Sequence, residues 1–310
     1  MIARMLGHLF KSLFAYRSGP IAQLPADVPQ DGDRAESTRH YHAARASVRA
    51  GRVAEAIASC RAALMAERNF SPAHFLLAEI ELPGEDYLEV LARVHGHLRP
   101  RTYLEIGVET GRSIRQVGPG TRAIGVDPHP RVEFDLGPNV SIVPQTSSEF
   151  FARHDVLEAL GGVPIDMAFI DGMHQFEYAL RDFMSIEALC TPASTIFIHD
   201  VFPLDEHTAT RQRGTGFWSG DIWRLALLLR KHRPDLAFHT IAAKPTGLAI
   251  VRNLDPASRY IRDHLDELIE EYLEVDFSIL NDRKAESLAL VPNDWSRISA
   301  LLDAPVTPRL

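Results

Sequence analysis

"RTYLEIGVETGRSIRQVGPGTRAIGVD", residues 101–127, decides how the chain is built. An apolar, β-branched run over 102–108 leads into a turn with Gly107 and Gly111, and a second run over 122–127 ends in Asp127. Short apolar runs bounded by glycines and joined by helix-length connections are strands buried on both faces of a parallel sheet. "SIVPQ" (141–145), "DMAFID" (166–171) and "STIFIHD" (194–200) predict further strands of the same kind. "AFHTIAA" (237–243) and "GLAIVRN" (247–253) predict the last two, with only "KPT" between them. That connection is too short for a crossover helix, so these two pair as a hairpin and one of them opposes the rest of the sheet. The expected fold class is therefore α/β, a doubly wound sheet, mostly parallel with a C-terminal antiparallel hairpin, preceded by a small helical region.

Glu105, Asp127, Asp171 and Asp200 fall at or near the carboxyl ends of four of these strands. Doubly wound sheets bind ligands in the crevice at those ends, and acids gathered there call for a ligand, a cation or water. Glu105, Gly107 and Gly111 spell E-x-G-x-x-x-G, in which the glycines let the backbone turn sharply from strand to helix and pass close to a ligand. A dinucleotide site would carry G-x-G-x-x-G with pyrophosphate at the helix N-terminus. Here the third glycine is missing and Glu105 and Glu109 put negative charge where phosphate would sit, which disfavours a nucleotide-dependent oxidoreductase or epimerase. A cationic ligand with an amino-acid end fits better. Asp127, twenty residues after Gly107, is placed to accept both hydroxyls of a ribose, although Asp before Pro also serves as a plain turn. Thr146 and Ser147 either cap the helix "SEFFARHDVLEAL" or contact an adenine ring, and capping is the favoured role.

Residues 101–253 resemble a class I S-adenosylmethionine-dependent methyltransferase. More narrowly, "FIDGMHQFEYALRDF" (169–183) and "IFIHDVFP" (196–203) are similar to the O-methyltransferase group of macrolide-sugar enzymes and cephalosporin hydroxylase-like proteins, methyltransferase family 24. The resemblance implies a Rossmann-like domain with S-adenosylmethionine as cofactor at Glu105, Gly107, Gly111, Asp127, Thr146 and Ser147. It also implies Mg²⁺ or another divalent cation on Asp171 and Asp200, with His174 as general base beside Asp171. Macrolide-sugar enzymes carry an acid where this chain has His199, which becomes a further candidate ligand, and many relatives carry an acid in place of Met173. The implied reaction is methyl transfer to a hydroxyl of a small molecule, a sugar or glycosylated metabolite. On the residues alone, Asp171 equally suits an N-cap with His174 in the first helical turn, and Glu177, Arg181 and Asp182 read as a solvated face opposite Phe176, Leu180 and Phe183.

The long connection "PLDEHTATRQRGTGFWS" (203–219) lacks apolar periodicity, and such loops are usually functional. It reads as a lid whose Phe217 and Trp218 stack on substrate while Arg211 and Arg213 meet a phosphate or carboxylate. The competing reading makes Trp218 and Trp223 anchors of the helix "DIWRLALLLRKH".

The rest of the chain bounds partners and compartment. A net charge of -8, spread without blocks, excludes the basic face a nucleic-acid partner needs. Cys60 and Cys190, with no CxxC or histidine pattern, predict a reducing, cytoplasmic compartment without disulfides. Residues 1–17 place apolar residues at helical spacing with Arg4, Lys11 and Arg17 between them, an amphipathic helix for which packing on protein is preferred to membrane contact, and 19–36, rich in proline and glycine, reads as a linker. In 39–81, Gly51, Ala56, Ala63 and Leu64 lie where a tetratricopeptide-like hairpin packs, about one and a half repeats when three are normally needed. A docked helical cap is therefore preferred, and the alternative is an idle methyltransferase-fold scaffold recruiting a protein partner through these helices. Ile261, Leu265, Leu268 and Tyr272 make one apolar stripe, expected to pack on the catalytic domain. The expected division is 1–38, N-terminal segment and linker; 39–84, helical region; 85–254, methyltransferase domain; and 255–310, helical extension. Acceptor identity and oligomeric state, a homo-oligomer included, are left open.

Overall fold

Each of the seven predicted strands forms in the computed structural model, which describes residues 32–306. They are β1 (Thr102–Ile106), β2 (Arg122–Val126), β3 (Val140–Val143), β4 (Ile165–Ile170), β5 (Cys190–His199), β6 (Ala237–Ile241) and β7 (Leu248–Arg252), joined by a two-residue β8 (Leu290–Val291) that periodicity cannot reveal. The longer helices are α1 (Arg34–Arg49), α2 (Val53–Ala66), α3 (Ser71–Glu81), α4 (Tyr87–Leu98), α5 (Ser147–Arg153), α6 (Phe176–Glu187), α7 (Trp223–His232), α8 (Leu265–Leu273) and α9 (Trp295–Asp303).

The sheet order is β3-β2-β1-β4-β5-β7-β6-β8. Strands β1 to β5 pair in parallel, and β7 lies antiparallel between β5 and β6, so the strand expected to oppose the sheet is β7. From β1 the chain moves outward to β2 and β3, then returns to the other side of β1 as β4, which makes the β1/β4 junction the switch point where such sheets open a crevice.

Strand alternation sorts the core into two layers. Leu104, Ile106, Ile124, Val126, Ala168, Ile170, Ile196 and Ile198 pack with Phe176, Leu180 and Phe183 of α6 and Trp223 of α7. Tyr103, Met167, Phe169 and Phe197 pack on the opposite face with Val90, Leu91 and Val94 of α4 and Ile298 of α9.

Several local expectations change. The amphipathic segment 1–17 and most of the linker lie outside the described residues. Within the expected linker, Asp33 accepts from the Glu36 amide at 2.9 Å and caps α1, so helix begins at Arg34 rather than after residue 38. The helix expected after Gly111 shrinks to a single 3₁₀ turn, Ile114–Gln116, cut short by the Gly118-Pro119-Gly120 run. Helices α1 to α3 form one hairpin and a third helix, with no further repeat among the described residues. Their shared core of Ala44, Cys60, Leu64, Phe70 and Leu77 is closed by Leu204 and Phe217 from the loop after β5, instead of by the next repeat. The C-terminal stripe buries Ile261, Leu268 and Tyr272 against the domain. No helix among the described residues is long and apolar enough to cross a membrane.

Candidate active site

The turn after β1 is fixed by its neighbours. Gly107 has φ 90°, and a Cβ on it would stand 2.0 Å from the carbonyl oxygen of Asp171, so the end of β4 packs directly on this glycine. Asp127 straps the same turn from β2. Its Oδ2 accepts from the amides of Val108 at 3.0 Å and Glu109 at 2.8 Å, while Oδ1 accepts from the His129 amide at 2.7 Å. A carboxylate offers about four lone-pair sites, and with three taken by amides Asp127 keeps capacity for one hydroxyl donor.

Glu105 does not join it in the crevice. It shares the strand face of Tyr103, is fully buried, and accepts from the Tyr103 and Ser113 hydroxyls at 2.6 Å each. Burial pushes its carboxyl up to about 8, against the pull of the two hydroxyl donors. Thr146 takes the favoured capping role, its hydroxyl accepting from the Glu149 amide in a reciprocal capping box. Ser147 faces the α6 acid Asp182, which is buried rather than solvated.

Asp171, His174 and Asp200 converge. Each offers a ligand atom, and these atoms lie within 4.8 Å of one another. Nδ1 of His174 is 3.0 Å from Asp200 Oδ2, and its Nε2 is 3.7 Å from Asp171 Oδ1. His199 lies behind them with both nitrogens engaged: Nδ1 is 3.1 Å from Asp171 Oδ1, and Nε2 is 3.3 Å from the Thr246 hydroxyl. Burial disfavours the charged ring, yet the carboxylates of Asp200 and Asp171 outweigh it and hold the His199 imidazolium up to about 9. Asp200 itself has φ 61°, a left-handed conformation that costs a non-glycine residue about 1–3 kcal/mol and recurs at functional sites.

Helix α6 starts at Phe176 with Gln175 as N-cap, so Asp171 caps nothing and His174 precedes the helix, free of its hydrogen-bond ladder. The α6 amide nearest this turn, that of Phe176, donates instead to Asp221 at 2.7 Å. In the 203–219 loop, Phe217 is buried in the helical cap and does not face a substrate, while Trp218 stacks on the His174 ring. Arg211 grips Glu177 with two bonds of 2.7 and 2.6 Å, which removes Glu177 from the solvated face. Arg213 turns back on the carbonyls of Thr215 and Gly216.

Residues 104–201, the span from β1 to the end of β5, match a family model described as a methyltransferase domain. Over that span, about a third of the chain, the protein is similar to a methyltransferase domain. A comparison with curated proteins finds no match. Solved structures similar in fold include the O-methyltransferase TomG from Streptomyces achromogenes, involved in tomaymycin synthesis and bound to SAM. It is 17% identical over 53% of this chain and 78% of that one, with a TM-score of 0.39. The O-methyltransferase from Bacillus cereus in complex with SAH is 17% identical over 57% and 86%, at a TM-score of 0.38. The SAH-bound Podospora anserina methyltransferase PaMTH1 is 14% identical over 80% and 96%, at a TM-score of 0.42.

Two residues at this site escaped sequence reasoning. The Tyr87 ring stacks on His199 at 4.0 Å and 26°, and the Thr246 hydroxyl donates to Asp200 Oδ1 at 2.5 Å. Burial and the surrounding acids, Asp171 foremost, keep the Tyr87 phenol well above its ordinary pKa. The Asp86/Glu89 capping signature marks the start of α4, but nothing local ties it to strands one hundred residues away.

Proposed function

We propose that the methyltransferase domain moves the methyl group of S-adenosylmethionine onto a hydroxyl of a small molecule, a sugar or glycosylated metabolite. The observation that carries this reading is the convergence of Asp171, His174 and Asp200 at the ends of β4 and β5, across the switch point from the Gly107/Asp127 turn.

In this reading the Gly107–Gly111 turn and Asp127 hold the donor, with Asp127 accepting from one ribose hydroxyl through the single site its three amide bonds leave free. Glu105 supports the turn from beneath through Ser113. The S–CH₃ bond breaks as the O–CH₃ bond forms, the sulfonium becomes a neutral thioether, and His174 takes the hydroxyl proton. Holding donor and acceptor in line supplies ~7–11 kcal/mol in favourable cases. An imidazole within reach of the acceptor hydroxyl is the side chain that most often serves as such a general base.

The donor set also suits a divalent cation. Asp200 Oδ2 and His174 Nδ1 are buried and lack a hydrogen-bond partner among the described residues, as atoms waiting for a further group would be. Asp171 and Asp200 would hold such a cation, Mg²⁺ or a transition ion, and when bound it lowers the pKa of an acceptor hydroxyl. His199, held on both nitrogens, orients the Asp171 carboxylate and is not assigned as a ligand. We assign 85–254 to the catalytic unit, the helices before it to a cap, and 255–310 to an extension that packs on it. The idle-scaffold alternative is disfavoured because the cap's apolar face is already occupied by Leu204 and Phe217.

Incubating cell extract with the protein and isotopically methyl-labelled donor, then locating the label by mass spectrometry, tests the proposal. A new methyl ether is expected, reduced about 10²–10⁴-fold by His174→Ala. Equal labelling by the variant would remove His174 from the chemistry.

A further inference from the structure

We propose that Trp218 is a positioning residue for His174: the 208–221 segment clasps residues 174–177 from outside, and the N-terminal helices hold the clasp closed. The role given to His174 rests on the proposed methyl transfer, whereas the clasp stands on geometry.

His174 sits in a bend before α6, with 28% of its side chain exposed and no helical ladder to fix it. The Trp218 indole lies flat on its imidazole, centroids 5.1 Å apart and planes 12° apart. A face contact orders a ring without using its edges, so Nδ1 stays 3.0 Å from Asp200 and Nε2 3.7 Å from Asp171. The indole is itself fixed, because its N–H donates to the Thr210 carbonyl at 2.6 Å.

The backbone around His174 is gripped by the same segment. The Asp221 amide donates to the His174 carbonyl at 3.3 Å, Asp221 accepts from the Phe176 amide at 2.7 Å, and the Gln175 side chain donates to the Arg211 carbonyl at 3.3 Å. Arg211 then bridges Glu177 and Asp221. Gly220 lies so close that a Cβ on it would fall 1.8 Å from the His174 carbonyl oxygen.

The outer side of the clasp belongs to the cap. Phe217 points the opposite way from its neighbour Trp218, stacking on His74 of α3 at 5.4 Å and meeting Phe75 edge-on at 5.2 Å. The Gly216 amide donates to Asn69 Oδ1, between α2 and α3, at 2.6 Å. Adjacent residues thus join the helical cap to the face of the base. A 1 Å misplacement at a reacting centre can cost about 10²-fold in rate, so removing the clasp matters even though it touches no substrate.

Nuclear magnetic resonance of the full chain with labelled histidines tests this, the His174 signals being assigned by their loss in His174→Gln. The indole ring current is expected to displace the His174 ring protons upfield. Trp218→Leu should return them toward free-histidine positions, Trp218→Phe should retain part of the displacement, and Asn69→Ala should move them the same way as Trp218→Leu. In the labelled-extract assay, Trp218→Leu should lower methyl transfer about 10–10²-fold, with S-adenosylmethionine affinity by calorimetry unchanged and partial recovery in Trp218→Phe. His174 signals that stay put in Trp218→Leu would overturn the clasp. Absence of donor binding in the unaltered chain would instead defeat the proposed methyl transfer, and the proton shifts would still decide the clasp.

Discussion

Nδ1 of His174 stands 3.0 Å from Oδ2 of Asp200, and both atoms are buried without a hydrogen-bond partner among the described residues. The other oxygen of Asp200 is satisfied by Thr246, whose hydroxyl donates to it at 2.5 Å while its carbonyl accepts from the Phe202 amide at 2.8 Å. Thr246 therefore holds Asp200 in its left-handed conformation and leaves Oδ2 turned toward His174.

Thr246→Val keeps the shape and removes the hydroxyl, leaving a buried carboxylate oxygen and His199 Nε2 without it. The expected cost is about 1–3 kcal/mol, read as a lower denaturant midpoint at unchanged slope. An unchanged midpoint would show that Thr246 does not support the site.

Gly107→Ala places a Cβ 2.0 Å from the Asp171 carbonyl oxygen at a φ of 90°. Backbone must move on one side or the other, so the β1 turn and the Asp171 end of β4 shift together. The variant is expected to melt well below the parent and to bind no S-adenosylmethionine. Parent-like melting and binding would mean that this contact is not rigid.

Asp127→Ala removes the acceptor of three backbone amides, those of Val108, Glu109 and His129. Hydrogen bonds to a charged group contribute about 1.5–3 kcal/mol each, so donor affinity should fall at least tenfold. Calorimetry on Asp127→Ala and Asp127→Asn checks this, the amide side chain recovering part of the loss.

Asp182 gives a pH signature away from the site. Burial raises its carboxyl from 3.8 to about 7, although the Ser147 hydroxyl favours the ionised form. The folded state thus holds a proton that the unfolded chain releases near pH 4, so this contribution to stability is complete below about pH 4 and is lost as pH rises through about 7. Asp182→Asn has no proton to lose. Its stability relative to the parent should rise by up to a few kcal/mol between pH 4 and 8, followed by denaturant unfolding at each pH. A pH-independent difference would mean that Asp182 is ionised in the folded protein.

Strands buried on both faces are nearly uniform apolar runs, so β1, β2, β4 and β7 were legible from residue type, the half-exposed β3 and β6 from their β-branched and aromatic residues, and the hairpin from the length of "KPT". Glu105 was misplaced because its position near the strand end suggested the crevice, while its parity with Tyr103 sends it into the layer under α4. Asp182 was misplaced because a carboxylate on a helix reads as solvated unless its neighbours are known. Tyr87 and Thr246 were invisible for a topological reason: β7 inserts beside β5, pairing Leu248 with His199, and carries the β6–β7 turn to Asp200. The Tyr87 amide then bonds the Lys244 carbonyl of that turn at 2.9 Å, drawing the start of α4 to His199. Trp218 was legible as an aromatic in a functional loop, but its partner is the histidine and not a ligand.

The central claim is that the Gly107–Asp127 turn binds a methyl donor. Isothermal titration of S-adenosylmethionine into the full chain tests it most directly. Saturable one-site binding, weakened at least tenfold by Asp127→Ala and little changed by His174→Ala, is the predicted result. No binding by the unaltered chain, or binding indifferent to Asp127→Ala, would contradict the account.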